Sequence, residues 1–266
     1  MSLAHLFGNS EEYENINFYI HQALEIAFNG NIGAPVHEKL QTGAKVLEFG
    51  CGTGIWTTEV ATEYPNSKFY AVDFTTKDLN DDNITFINCD IHQTLPFPDN
   101  EFDYVFSRNK TEFFSKELFQ GYLFEILRVL KPEGWLEIVH SLYANDDGGI
   151  ISKRVDEIIS WHKERGIDFD LLTQLEDYLE MTGKAEFISS QIAKIPLGGV
   201  GFGEFTHDVV VDHIKLSQDV GVTFAESGGG STEELENQMK KNRGEIYSKQ
   251  KRVFARKKDT GILKEA

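Results

Sequence analysis

The residues best placed for chemistry in the first half of the chain form a glycine-alternating turn. Gly50, Gly52 and Gly54 stand at every second position directly after an apolar segment, residues 46–49, and a helical pattern follows. Glycine lets a ligand approach the backbone closely, and the free N–H groups at the start of a helix attract polar or anionic groups. The spacing therefore predicts a nucleotide-binding turn between a strand and a helix.

The position of the third glycine separates two kinds of nucleotide site. A dinucleotide fingerprint, G-x-G-x-x-G, would place that glycine at Ile55, whereas here it is Gly54. Glu48, two residues before the first glycine, does not belong to that fingerprint either. A glycine-rich turn of an unrelated α/β protein remains the alternative interpretation.

Polar residues follow four apolar segments that have the character of buried strands. These segments end at Gly50, Asp73, Asp90 and residues 107–109. In open parallel sheets ligands bind outside the carboxyl ends of the strands, so we expect the four ends to meet at one cleft. Asp73 comes about twenty residues after the glycines, as expected for an acid that binds ribose hydroxyls.

Two motifs resemble those of the class I S-adenosylmethionine (SAM)-dependent methyltransferases. Residues 48–54, E-x-G-x-G-x-G, are similar to motif I of this family, and residues 127–138 resemble its L-R-V-L-K-P-G-G-x-L segment, with Glu133 in place of the first glycine. The general resemblance covers residues 40–142. A resemblance over most of the chain indicates the fungal branch that contains UMTA-type enzymes and a regulator of secondary metabolism.

The resemblance implies a fold, a cofactor and a set of contacts. The fold is a seven-stranded, Rossmann-like α/β sheet with helices on both faces and a helical cap. The cofactor is SAM and its product is S-adenosylhomocysteine (SAH), with the methionine part over the glycines, the ribose on Asp73 and the adenine beside Phe74, Asp90 and Ile91. The implied cofactor-binding residues are Glu48, Gly50, Cys51, Gly52, Gly54, Asp73, Phe74, Asp90, Ile91 and Ser107.

The chain is predicted to be a single methyltransferase domain over residues 1–266. Its predicted parts are an N-terminal helical segment (1–39), a SAM-binding core (40–142), helical cap insertions (143–184 and 200–249) and the last two strands (185–199 and 250–258). The cap insertions are expected over the cleft, where they would select the acceptor. Basic residues near the C-terminus predict a solvated helix face followed by an edge strand at 252–256, whose charges protect the edge.

His140 is the candidate general base. It directly follows the predicted fifth strand, and an imidazole titrates near neutral pH. A base would assist a phenol or a carboxylic acid, whereas a neutral amine acceptor needs none. The candidate acceptor-binding residues are Tyr19, Arg108, Asn109, Tyr143 and Trp161. For Arg108 and Asn109 a turn network is the alternative interpretation, and for Tyr19 it is the packing of an amphipathic helix.

Composition limits the partners. The chain has 43 acidic and 26 basic residues and a net charge of −17, which argues against a nucleic acid partner. No signal peptide is visible and no apolar run approaches about eighteen residues, so we expect a cytoplasmic protein without a membrane partner, a nuclear location remaining open. The two cysteines, Cys51 and Cys89, lack metal-ligand spacing, and no metal site is expected.

The predicted function is methyl transfer to an oxygen or nitrogen atom of a small molecule, for example a secondary metabolite. Two alternatives stay open. One is a SAM-binding regulatory protein that keeps the fold but works through partners. The other is a protein methyltransferase, which needs an open groove in place of a capped pocket. The sequence determines neither the acceptor nor the oligomeric state.

Overall fold

Seven strands form one sheet within the part of the chain that the structure, a computed structural model, describes. The described residues are 11–74, 81–110, 114–145, 149–164, 166–167, 170–198, 206, 232–242 and 245–259. The strands are β1 (Lys45–Phe49), β2 (Lys68–Asp73), β3 (Ile84–Asn88), β4 (Phe102–Arg108), β5 (Leu130–Asn145), β6 (Ala185–Pro196) and β7 (Tyr247–Lys257). The predicted seven-stranded α/β fold is confirmed.

Helices connect most of these strands. They are α1 (Glu11–Phe28), α2 (His37–Thr42), α3 (Ile55–Glu63), α4 (Lys116–Val129), α5 (Ile150–Lys163), α6 (Asp170–Thr173), α7 (Leu175–Met181) and α8 (Thr232–Lys241). The N-terminus of α4 is capped by Ser115, whose hydroxyl accepts a hydrogen bond from the Leu118 N–H. No helix in the described ranges combines the length and apolar character that crossing a membrane requires.

The order of the strands creates a switch point beside β1. The order is β3-β2-β1-β4-β5-β7-β6, and the five strands from β3 to β5 run parallel. The chain leaves β1 toward β2 and β3, and then returns to form β4 on the other side of β1. Ligands of open α/β sheets bind at the carboxyl ends of the strands at such a reversal. The fold therefore brings the turn after β1 and the residues after β4 side by side.

The main hydrophobic core surrounds this sheet and includes α6 and α7. Leu171, Leu175 and Tyr178 are buried in the same cluster as Phe119 of α4, and the Phe119 and Tyr178 rings meet edge to face with centroids 5.4 Å apart. The sequence interpretation places these three residues in the cap. The structure instead packs them with the sheet, because their apolar side chains cover the core beside α4.

The chain divides into two compact units. The sheet unit comprises residues 32–140, 170–191 and 252–266, and the second unit comprises residues 1–31, 141–169 and 192–251. Residues 170–184 thus belong to the sheet unit, although the sequence groups them with the cap insertion 143–184. The second unit has its own apolar cluster, in which Leu197, Leu235 and Met239 are buried. Of the predicted cap insertion 200–249, residues 200–205, 207–231 and 243–244 lie outside the described residues.

Strand β7 corrects the interpretation of the basic C-terminal segment. It lies between β5 and β6 and is not an edge strand, and it begins at Tyr247, within the predicted cap insertion 200–249. Arg252 is buried, and its Nε lies 3.0 Å from Oε1 of the fully buried Glu137. The other oxygen of Glu137 accepts hydrogen bonds from the Gly33 and Ala34 N–H groups and the Tyr104 hydroxyl. Arg252 therefore forms a buried ion pair, and the predicted protection of an exposed sheet edge does not apply to β7.

Candidate cofactor site

The glycine turn after β1 is fixed to the end of β2 by its own backbone. The Gly50 and Cys51 N–H groups both donate to the Val72 carbonyl oxygen, at 2.8 and 2.9 Å. All three glycines of the turn have positive φ, +74° at Gly50, +55° at Gly52 and +76° at Gly54. Residues with a Cβ rarely adopt this conformation. The sequence pattern thus corresponds to a sharp turn held directly above the switch point.

The three glycines meet different surroundings. A Cβ on Gly50 would lie 2.5 Å from Cε of Lys110, and one on Gly54 would lie 2.6 Å from the Phe86 ring. Among the described residues, a Cβ on Gly52 would have only the Lys110 Nζ within 4 Å, at 3.8 Å. Gly54 is therefore required by packing against β3, whereas Gly52 is the glycine whose open side is available to a ligand.

Asp73, at the end of β2, presents a carboxylate whose position is fixed. One oxygen accepts a hydrogen bond from the Gly52 N–H and the other from the Phe74 N–H, each at 2.7 Å. Lys110 Nζ lies 3.3 Å from the first of these oxygens. A carboxylate offers about four acceptor positions, so acceptor capacity remains for ligand hydroxyl groups. The predicted ribose acid thus lies directly against the glycine turn.

Glu48 is directed beneath the turn and away from its open side. Its Oε2 accepts hydrogen bonds from the Thr57 N–H at 3.2 Å and the Thr57 hydroxyl at 2.5 Å. Gly54, the residue before α3, has no side chain to cap the helix, and the Glu48 carboxylate serves this purpose. Burial raises the pKa of Glu48 to about 7, against the opposing effect of the Thr57 hydrogen bond and nearby cations.

The loop after β3 carries the predicted adenine contacts. The Asp90 carboxylate accepts hydrogen bonds from the His92 N–H at 2.8 Å and the Gln93 amide at 3.0 Å. Partial burial would raise the pKa of Asp90, but these hydrogen bonds lower it overall. The His92 ring lies 5.6 Å from the Phe74 ring and 5.1 Å from the Phe114 ring, centroid to centroid. These rings form an aromatic surface beside the end of β2.

Three predicted cofactor residues are buried components of the cleft walls. The Ser107 hydroxyl donates to the Phe49 carbonyl oxygen at 3.0 Å and so ties β4 to β1. Ile91 belongs to the main core. Cys51 is a free, buried thiol whose pKa is raised well above its ordinary value, mainly by burial. In the structure these side chains shape the cleft, and their contact with a cofactor stays a prediction.

Arg108 and Asn109 end β4 in different ways. Burial lowers the pKa of the Arg108 guanidinium, while the carboxylates of Glu48 and Glu59 act to raise it. This electrostatic environment supports the turn-network interpretation of Arg108. Asn109 has a φ of 52°, and its N–H donates to the Val139 carbonyl oxygen. Its side-chain oxygen is buried without a hydrogen-bond partner among the described residues, so it retains a free acceptor.

His140 lies within β5, because this strand continues to Asn145. From the sequence, the strand is instead expected to end just before His140. β4 has ended at this level, because Arg108 pairs with Val139. His140 is only 1% exposed. Tyr19 on α1 is exposed and Trp161 on α5 is half-buried, both in the second unit, and the side chain of Tyr143 lies outside the described residues. Their roles toward an acceptor stay predictions.

Two residues of this region were missed by sequence reasoning, Lys110 and His92. Lys110 follows the run 107–109 by one position, and its place directly after a strand at the switch point is the signal that could have identified it. His92 directly follows the predicted adenine residues. Lys110 reaches Asp73, and the His92 ring reaches Phe74 and Phe114, over long separations in sequence, so local periodicity gives no indication of these contacts.

The comparisons with known proteins agree with this geometry. Residues 46–134 match the methyltransferase domain family, and this range spans the glycine turn, Asp73 and the ends of β3 and β4. The match covers about a third of the chain. Over these residues the chain is similar to class I SAM-dependent methyltransferase domains. SAM is the methyl donor of this class, as the motif resemblance implied.

Individual relatives are distant. The chain is 25% identical over 220 residues to a demethylmenaquinone methyltransferase of Anoxybacillus flavithermus, covering 71% of this chain and 88% of that protein. It is 25% identical over 162 residues to the methyltransferase str3 of Strobilurus tenacellus, covering 58% and 57% of the two chains. The latter match thus spans little more than half of the fungal protein.

A solved structure supports the fold of the methyltransferase domain. Phosphoethanolamine N-methyltransferase 2 of Haemonchus contortus, in complex with SAM, superposes with a TM-score of 0.56 at 19% identity. The superposition covers 97% of this chain and 60% of the nematode protein. At this identity the likeness concerns the fold alone.

Proposed function

We propose that this chain binds SAM at the glycine turn and transfers its methyl group to an oxygen or nitrogen atom of a small molecule. The observation that carries the proposal is the fixed Asp73 carboxylate, held at 2.7 Å by the N–H groups of Gly52 and Phe74. Such an arrangement suits a pair of vicinal hydroxyl groups, because the acceptor atoms are already oriented. The ribose of SAM carries that pair.

The remaining residues fit the other parts of this cofactor. The open side of Gly52 accommodates the methionine chain, and the rings of Phe74 and His92 offer a stacking surface for adenine. When bound, SAM supplies an electrophilic methyl group on a sulfonium. The contribution of the protein is then to orient the acceptor in line with this group and to exclude water.

We propose that His140 is the base for an oxygen acceptor. It directly follows Val139, which pairs with Arg108 at the end of β4 and whose carbonyl oxygen accepts a hydrogen bond from the Asn109 N–H. A neutral imidazole there would take the proton of an acceptor hydroxyl. Asn109, with its free side-chain oxygen, would orient the acceptor through a hydrogen bond.

The acceptor class is inferred from the relatives. The name of the Anoxybacillus flavithermus relative specifies demethylmenaquinone, a small molecule. The similarity to the fungal methyltransferase str3 of Strobilurus tenacellus agrees with a relation to a fungal branch, and we propose an acceptor among secondary metabolites on the motif resemblance. The net charge of −17 is consistent with an acceptor other than nucleic acid.

Calorimetry with SAM and SAH tests the cofactor site. Asp73→Ala is expected to weaken binding by about 1–3 kcal/mol, the scale for lost hydrogen bonds to a charged group. Asp82→Ala, at an exposed acid, is the matched control and should bind as the wild type does. A folded wild-type protein without saturable heat for either ligand would contradict the proposal, and unchanged affinity of Asp73→Ala would remove that residue from the site.

Mass spectrometry of host extracts incubated with SAM and the protein tests turnover. We expect a small-molecule product heavier by one methylene unit, absent when the protein is omitted. His140→Ala should then lower turnover of an oxygen acceptor by about 10²- to 10⁴-fold without changing SAM affinity, and should affect a nitrogen acceptor much less. Tight SAM binding with no methylated product in any extract would favour the regulatory alternative.

A further inference from the structure

Lys110 occupies the space between the glycine turn and the ribose acid. Its ammonium lies 3.3 Å from an Asp73 carboxylate oxygen, and the side chain is only 10% exposed. Its carbon chain covers Gly50 so closely that a Cβ there would lie 2.5–2.7 Å from its Cγ, Cδ and Cε. The Lys110 Nζ also approaches the open side of Gly52, at 3.8 Å from the position of a Cβ.

This placement matters because of where the charge of SAM lies in the molecule. The sulfonium joins the ribose to the methionine chain. With the ribose on Asp73 and the methionine chain over Gly52, the sulfur belongs between these two residues, which is the region that the Lys110 ammonium occupies. Like charges at short range repel each other strongly in a site with little water. Methyl transfer removes the charge, because SAH carries a neutral thioether at the same atom.

We propose that Lys110 is a specificity-determining residue that makes the site bind SAH more tightly than SAM. The inference rests on the proposed function and adds a residue to it. Lys110 fills space that either ligand would occupy, so the free energy of moving it is common to both and cancels in the ratio of their dissociation constants. The repulsion between the displaced ammonium and the ligand sulfur exists for SAM alone, so it does not cancel in this ratio.

The size of the effect follows from Coulomb's law. At an effective dielectric constant of about 20, a unit charge roughly 12 Å from the sulfur changes affinity about tenfold, and a shorter distance changes it more. The tether of the lysine side chain keeps the displaced ammonium within about that distance.

Calorimetric titration of SAM and SAH into four proteins tests this inference. The proteins are the wild type, Lys110→Met, Lys110→Arg and Lys39→Met. The wild type should prefer SAH by about tenfold or more. Lys110→Met keeps the carbon chain without the charge and should reduce that preference about tenfold, whereas Lys110→Arg restores the charge and should keep it. Lys39→Met removes an exposed lysine and serves as the matched control.

Three results would overturn the role of Lys110. The first is equal affinity of the wild type for SAM and SAH. The second is an unchanged preference for SAH in a folded Lys110→Met, and the third is a lost preference for SAH in Lys39→Met. If Lys110→Met fails to fold, Lys110→Gln provides the same neutral comparison. Absence of binding of both ligands to the folded wild type would overturn the proposed function itself, whereas binding with an unaltered ratio overturns only this inference.

Discussion

Replacing Glu48 by glutamine should change how the stability of the protein depends on pH. Glu48 is buried below the glycine turn, where its carboxyl group meets the Thr57 N–H and hydroxyl. Burial raises its pKa from 4.5 to about 7. The glutamine of Glu48→Gln keeps the size and the acceptor oxygen, but it does not titrate.

The sign and size of the effect follow from the pKa of Glu48 in the two states. Because the folded pKa lies above the unfolded one, the stabilisation by this group is fully present below pH 4.5 and is lost as the pH rises through about 7. Integration between pH 5 and pH 8 gives a relative loss of about 2.5 kcal/mol for the wild type. Glu48→Gln should therefore be more stable relative to the wild type at pH 8 than at pH 5, by about that amount.

Urea denaturation of both proteins across this pH range provides the measurement. The quantity of interest is the difference between their free energies of unfolding at each pH, since titration of all other groups cancels in it. Glu38→Gln, at an exposed glutamate of α2, is the control for removing a carboxylate that is not buried. A difference for Glu48→Gln that does not change with pH would mean that Glu48 is ionised throughout, and the argument from burial would be refuted.

Two further substitutions test how the sheet and the turn are held. Arg252→Met leaves Glu137 buried without its counter-charge and should lower the free energy of unfolding by about 3–5 kcal/mol. The double variant with Glu137→Gln should lose much less stability than the sum of the two single losses. Additive losses in a double-mutant cycle measured by denaturation would contradict the buried pair. Gly54→Ala places a Cβ at positive φ, 2.6 Å from the Phe86 ring, and should cost about 2–4 kcal/mol. Adding Phe86→Leu should recover part of this loss, and a thermal midpoint unchanged by Gly54→Ala would argue against the contact.

Much of the cofactor site could be predicted from the sequence because its signals are local. The strand, the glycine turn and the helix that follow one another at residues 45–63 agree with the predicted elements. Asp73 is the last residue of β2, and it contacts the glycine turn as its position after a buried strand indicates. Strand ends in a parallel sheet converge whatever the details of packing are, so residues placed at those ends are brought together by the fold class alone.

The sequence was less informative where contacts join distant segments. The sequence predicts that helices α6 and α7 belong to a cap, but apolar periodicity does not specify which core a helix covers. Likewise, the charges of β7 suggest an exposed edge, whereas the order of the strands places β7 inside the sheet with Arg252 against Glu137. A charge pattern alone cannot distinguish a solvated lysine or arginine from one that has a buried partner.

What the sequence by itself determined is the fold class, the glycine turn and the acid at the end of β2, because periodicity and turn chemistry act over a few neighbouring residues. What only the tertiary structure decided is what each side chain meets. Glu48 contacts Thr57 nine residues further along the chain, and Lys110 reaches Asp73 across 37 residues. The reversal of strand order between β1 and β4 creates the second of these contacts, and strand order results from the packing of the whole chain.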